Sequence, residues 1–132
     1  MVSKEFVTAG SAIFTVKSVT GQYYTYRVNR QDNTWFISLL TGPDNTSSYT
    51  YLGLLDTTSG GVILTKKSGF EFDSLPVKVL RWALVKVWSG SAVPDGYSIM
   101  HEGRCGRCNR LLTVPSSLES GLGPECEKLV LA

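Results

Sequence analysis

One histidine in 132 residues is very little material for acid–base catalysis by imidazole. The chain also lacks a phosphate-cradling glycine motif, a dinucleotide fingerprint and a closely spaced pair of carboxylates. Asp44, Asp73 and Asp95 stand where turns and helix caps need them. An enzyme requires a nucleophile, a proton-transfer group and a place for developing charge, so the expectation is a protein without catalytic activity. Long apolar runs are missing too. Lys78, Arg81 and Lys86 interrupt the most apolar segment, which excludes a spanning helix of about eighteen residues. The opening "MVSKEFVTAGSAIF" has no continuous apolar core and is a poor secretory leader. A soluble, cytoplasmic protein is expected.

Charge of one sign is equally scarce. Thirteen Lys and Arg against eleven Asp and Glu leave a net charge of +2, too mild to demand a nucleic-acid partner. A basic surface would have to come from local clustering. The three cysteines cannot all pair within one chain, and they gather near one end. That grouping suits a reducing compartment and a metal better than a disulfide framework. With 42% hydrophobic and 18% charged residues, the chain has the composition of a folded domain.

What is present first is alternation. In "QYYTYRVNR" Tyr24, Tyr26 and Val28 share one face, and in "TWFISLL" Trp35, Ile37 and Leu39 do the same, as half-buried strands require. The intervening "QDN" makes these two a hairpin. "AIFTVKSV" precedes them, turned by "TGQ"; "SYTYLGLL" and "GVILTKK" follow, separated by the glycine-bearing "DTTSGG". The reading is an α+β fold built on an antiparallel β-meander of about five strands. The longer connection "TGPDNTS" reads either as a plain link or as a loop that presents a surface.

Near Asp73 the period changes. "DSLPVKVLRWALVKVWSG" starts with a cap at Asp73 or Ser74, carries Pro76 early and stops near Gly90. Leu80, Ala83, Leu84 and Val87 then form one stripe, so this helix should cover one face of the sheet. Beside that stripe, Lys78, Trp82 and Lys86 recur every fourth residue with Arg81 as neighbour. A tryptophan among cations can stack on a base while the cations meet phosphates. It can equally bury itself under the tail while the lysines reach water. "YSIM" reads as a short extended segment docking on the main domain, and the boundary falls near residue 95. Residues 1–95 would form the body and 96–132 a zinc-binding module packed on it.

The tail holds "HEGRCGRC" and, later, "GLGPEC". Cys105 and Cys108 sit in a Cys-x-x-Cys turn that lets two thiolates address one ion, with Gly106 easing the bend. Cys126 follows Gly123 and Pro124 at the start of a short helix, and His101 makes the fourth candidate. Cys3His is a complete tetrahedral set, which suits zinc, one per chain, in a structural and closed site. Other readings of His101 are a local hydrogen bond, with a carboxylate or water completing the metal. Val114 and Leu118 would pack against the site, with Ser116 or Ser117 opening a helical turn that Gly121 ends. Arg104, Arg107 and Arg110 surround the turn, where they can neutralise thiolates, bridge to Glu102, Glu119 or Glu125, or contact phosphates.

"HEGRCGRCNRLLTVPSSLESGLGPEC" resembles a family of small cysteine-containing domains of unknown function found in phage and bacterial proteins, with recurring "GRCGRC", "LT-x-P-x-S" and "G-x-GP-x-C" segments. The resemblance covers about a quarter of the chain. It implies metal-ligand roles for Cys105, Cys108 and Cys126, with His101 as fourth; the preceding "WFISLLTGPDNTSSYTYLG" is similar to sequence that accompanies such tails in phage-type proteins, which implies a phage or prophage source acting in the host cytoplasm. Asn109 stands where glycine is expected.

Two functions follow as expectations. One is an accessory zinc protein that contacts DNA or RNA through Lys78, Arg81, Trp82, Lys86, Arg104, Arg107 and Arg110, all converging if the tail folds against the helix. The other is an inhibitor or adaptor that binds a host protein through Tyr23, Trp35 and the loop bearing Asp44.

Overall fold

Alternation of apolar and polar side chains becomes a sheet in the computed structural model, which describes residues 2–43, 47–112 and 115–131. The strands are β1 (Ser11–Lys17), β2 (Tyr23–Gln31), β3 (Thr34–Leu40), β4 (Tyr49–Leu55), β5 (Val62–Ile63) and β6 (Ser98–His101). Their order is β5-β4-β3-β2-β1-β6, antiparallel throughout. The meander runs from β1 to β5, as the turn residues require. Asp32 takes the left-handed φ of 56° in the β2–β3 turn, a conformation that aspartate tolerates. The loop residues Asp44 and Asn45 lie outside the described residues.

The sheet has six strands where five were expected. "YSIM" not only docks but pairs with β1, setting Ser98 opposite Lys17 and His101 opposite Phe14. A segment of four residues shows almost no period, and its partner lies far back in the chain. At the other edge, "GVILTKK" contributes only two paired residues.

One face of the sheet carries the core. Tyr26, Val28, Ile37 and Leu39 are buried there, with Tyr24 and Trp35 packed beside them. Helix α2 (Leu75–Ser89) covers this face with Val77, Leu80, Ala83, Leu84 and Val87. Val77, Leu80, Leu84 and Val87 each contribute about 1.5–3 kcal/mol on burial, and the small Ala83 lets the helix approach the sheet closely. Ser74 precedes the helix, Pro76 sits in its first turn, and Gly90 ends it at φ 68°. Polar anchors fix its two ends. Tyr26 Oη donates to the Pro76 carbonyl at 2.6 Å, and Trp88 Nε1 donates to the Thr57 carbonyl at 3.1 Å.

Three further helices are short: α1 (Lys4–Val7), α3 (Pro115–Ser120) and α4 (Pro124–Leu131). Ser3 Oγ caps α1 by accepting from the Phe6 N–H at 3.1 Å. This single turn buries Phe6 and Val7. The cysteine tail meets the body here. Ser11 N–H donates to the Gly106 carbonyl at 2.7 Å, and Gly106 N–H to the Gly121 carbonyl at 2.8 Å. Among the described residues no helix is long and apolar enough to cross a membrane.

Candidate metal centre

The turn that holds the first two cysteines is closed by backbone bonds. Cys105 N–H donates to the Arg110 carbonyl at 2.8 Å and Asn109 N–H to the Cys105 carbonyl at 2.9 Å. Asn109 carries the left-handed φ of 65° that this closure needs. Asparagine is among the few residues that adopt it readily, so the turn survives without glycine. Gly106 has a tighter reason to be glycine than an easy bend: a Cβ there would stand 2.6 Å from Phe6 Cδ1. Cys126 lies in the first turn of α4, whose opening Pro124 needs no backbone donor.

Folding brings the three sulfurs together. The thiols of Cys105, Cys108 and Cys126 lie within 4.8 Å of one another, unpaired by any disulfide. Tetrahedral zinc thiolates at 2.3 Å hold their sulfurs about 3.8 Å apart, so closing on an ion needs movements of only about 1 Å. Cys105 and Cys126 are 1% and 8% exposed, enclosed with Leu112 and Leu122, while Cys108 is exposed. Three thiols in this arrangement could hold a metal ion.

The electrostatics favour thiolate at the innermost position. Burial pushes the Cys105 thiol up, but the N–H groups of Gly123, Cys108 and Arg107 together outweigh it and bring the group down to about 7. The Arg107 N–H lies 3.4 Å from Cys105 Sγ. Burial raises Cys126, the Arg107 guanidinium lowers it, and the neighbouring cysteines raise it further, leaving the thiol above its ordinary value. Arg107 Nη1 donates to Cys126 Sγ at 3.7 Å. Of the uses expected for the arginines, this is the neutralisation of thiolates.

His101, expected as the fourth ligand, is placed outside this group. The Gly103 N–H donates to His101 Nδ1 at 2.9 Å, which puts the ring proton on Nε2, and Nε2 donates to the Leu118 carbonyl at 2.6 Å. Both ring nitrogens are thus engaged by backbone, and the ring rests on Phe6 with centroids 5.6 Å apart. The local hydrogen-bonding reading of this histidine describes what is seen.

Ser117, considered from sequence only as a helix start, lies within α3 and has a different place. It is 2% exposed, and it lines a hollow of about 360 Å³ together with Cys108 and Cys126. Composition and spacing carried no signal of this, because serine is common and the hollow exists only when α3 and α4 close over the cysteine turn. Leu118, expected against the site, keeps 43% of its surface exposed, and Val114 falls outside the described residues.

The cationic residues do not converge. Arg104 Nη1 donates to the Asn109 carbonyl at 3.3 Å, Arg107 faces the thiols, and Arg110 is exposed. All three belong to the tail, which meets β1 at Ser11. Lys78 and Trp82 instead line a groove that reaches Lys17 at the far end of β1. Seven residues of strand put about 20 Å between those ends. Trp82 packs against Tyr97, at the start of the 96–132 segment, with ring centroids 5.5 Å apart. Arg81 stacks over Phe72 at 4.2 Å, and Lys86 is half-buried further along the helix. Of the side chains read as a protein-contact face, Tyr23 is exposed; Trp35 is turned inward, donating to the Thr8 carbonyl at 3.0 Å beneath Arg30.

Residues 98–131 match a family of unknown function, DUF6011. The DUF6011 match begins at the first residue of β6 and takes in the cysteine turn, α3 and α4, so it contains all three thiols. Comparison with curated proteins and with solved structures finds no match.

Proposed function

We propose that the protein is a zinc-stapled module that contacts single-stranded DNA or RNA through the groove between α2 and the start of β6. The observation that carries this reading is the lining of the groove. A space of about 430 Å³ is walled by Tyr24, Trp82 and Tyr97, with Lys17 and Lys78 on the same lining. Flat aromatic rings accept the faces of unpaired bases, and ammonium groups beside them attract the phosphates between those bases. Zinc fits the tail because thiolates held by backbone N–H groups are its preferred soft donors, and an ion there would tie the cysteine turn to α4. In this reading the metal is structural and Arg107 serves its thiolates. The strand residues lining the groove, Val16, Lys17 and Tyr24, come from β1 and β2, and Tyr97 reaches it from just before β6.

The test is titration of the zinc-loaded chain with fluorescent single-stranded oligonucleotides at low salt. Binding should weaken as salt rises, and Trp82→Ala should weaken it about tenfold, as loss of one stacking platform does. Absence of salt-sensitive binding to both DNA and RNA, or affinity unchanged in Trp82→Ala with Tyr97→Ala, would discard the reading.

A second reading, a protein-binding inhibitor or adaptor, draws on a different observation. Leu111 and Leu129 are 66% and 64% exposed and border the cysteine hollow beside Arg110. Apolar side chains with an arginine at their margin are common at the centres of protein interfaces. Capture of one stoichiometric host protein, lost on Leu129→Asp, would favour it over the groove.

A further inference from the structure

Among the described residues three buried side-chain polar atoms find no hydrogen-bond partner, and one of them is Ser117 Oγ. Its backbone is well tied: the Ser117 carbonyl accepts from the Gly121 N–H at 2.8 Å and from Ser120 Oγ at 3.4 Å. Only the hydroxyl is left over. Leaving a buried hydroxyl unpaired costs about 1–3 kcal/mol, so a fold that keeps one normally gives it a partner from elsewhere. Ser117 is one of the residues lining the hollow that Cys108 and Cys126 also line, and its Oγ is buried behind that lining.

The three thiols need a fourth donor to complete a tetrahedral ion, and His101 is committed to backbone on both nitrogens. We propose that Ser117 Oγ is that donor, so that the site is Cys3Ser, formed by Cys105, Cys108, Cys126 and Ser117. The assignment rests on the metal reading above. The hydroxyl would bind as a neutral group through an oxygen lone pair, with no proton released from it. Charge supports a neutral fourth donor. Three thiolates already exceed the two positive charges of zinc, and the Arg107 guanidinium over Cys126 offsets the remaining negative charge. Glu125 borders the same hollow, but it is exposed and would add a negative charge that nothing there offsets.

X-ray absorption on the zinc-loaded full chain counts sulfur and light-atom donors, and cobalt substitution reports thiolate number through its charge-transfer bands. The wild type should give three sulfurs and one oxygen. Ser117→Cys should give four sulfurs and stronger charge-transfer absorption. Ser117→Ala should lose metal to a competing chelator at least about tenfold more readily. His101→Ala should leave the donor set unchanged. A chain that binds metal but keeps three sulfurs in Ser117→Cys, or shows an imidazole donor that His101→Ala removes, overturns the serine assignment alone. A wild-type chain that takes up neither zinc nor cobalt overturns the metal reading together with it.

Discussion

Gly121 lies so close to Phe6 that a Cβ built on it would stand 2.5 Å from Phe6 Cδ1. Gly106 approaches the same ring from the cysteine turn, and His101 packs on it from β6. One aromatic side chain from a single-turn helix is therefore the contact on which the tail closes. Gly121 also sits at φ 76°, where a side chain adds backbone strain. Gly121→Ala is expected to destabilise the protein by about 2 kcal/mol or more, from strain and overpacking together. Phe6→Ala should cost about 3–5 kcal/mol. Thermal melts measure both losses. Hydrogen exchange should show the tail amides opening before those of β2 and β3 in Gly121→Ala.

Removal of metal should act on the tail first. The purified chain is expected to carry one zinc, and a strong chelator should loosen residues 102–131 while the sheet and α2 keep their exchange protection, since their cores are separate. Cys126→Ala should reproduce the loosening without a chelator. Uniform loss of protection across both regions would contradict this division.

Protons compete with metal for thiolates, which gives the uptake a direction in pH. Cys105 ionises near 7, whereas Cys126 is held above the ordinary thiol value. Metal affinity should therefore rise as pH increases through neutrality and beyond. Arg107→Ala removes a guanidinium that lowers Cys126, so the midpoint of uptake should move to higher pH. A chelator-competition series across pH measures the midpoint in both proteins.

Tyr26 makes a separate pH prediction in the body. Burial, and next the charge on Tyr24, hold its hydroxyl far above the usual phenol value. A group whose folded pKa is raised contributes stability that is fully present below its unfolded value and is lost as pH rises beyond it. For this phenol the loss begins near pH 10, with a slope of about 1.4 kcal/mol per pH unit. Tyr26→Phe should lower stability by about 1 kcal/mol at pH 7, through the lost bond to Pro76. Above pH 10 its stability should fall less steeply than that of the wild type. Denaturant unfolding at pH 7, 10 and 11 tests both statements.

The separation of the two cationic groups along β1 predicts different salt responses. Lys78→Ala should lower the salt dependence of oligonucleotide binding by about one unit in the log–log slope. Arg110→Ala, at the opposite end of the strand, should leave that slope unchanged. Equal effects from the two would place the contact on the tail instead of the groove.

Several features were legible because they are periodic or local. Alternation in β2 and β3 marked Tyr26, Val28, Ile37 and Leu39 as core, and the stripe from Leu80 to Val87 marked the covering face of α2. The cysteine spacing marked three thiols that do gather. Other features had no local signature. Helix α1 is one turn and β6 four residues, each too short for a period to declare itself. His101 is the instructive case. Its spacing from Cys105 suits a ligand, yet pairing of β6 with β1 orients the ring toward Phe6, and the Gly103 and Leu118 backbones take its nitrogens.

The sequence by itself determined which faces of the strands and of α2 are apolar and that three thiols can share a turn and a helix start, because those properties depend on the spacing of neighbours along the chain. Tertiary structure alone decided that His101 turns from the thiols, that Ser117 lines their hollow, and that the arginines and the Trp82 groove lie at opposite ends of β1. Each of these depends on how distant segments pack, through Phe6 and the β1–β6 pairing, and packing between distant segments leaves no pattern in the order of residues.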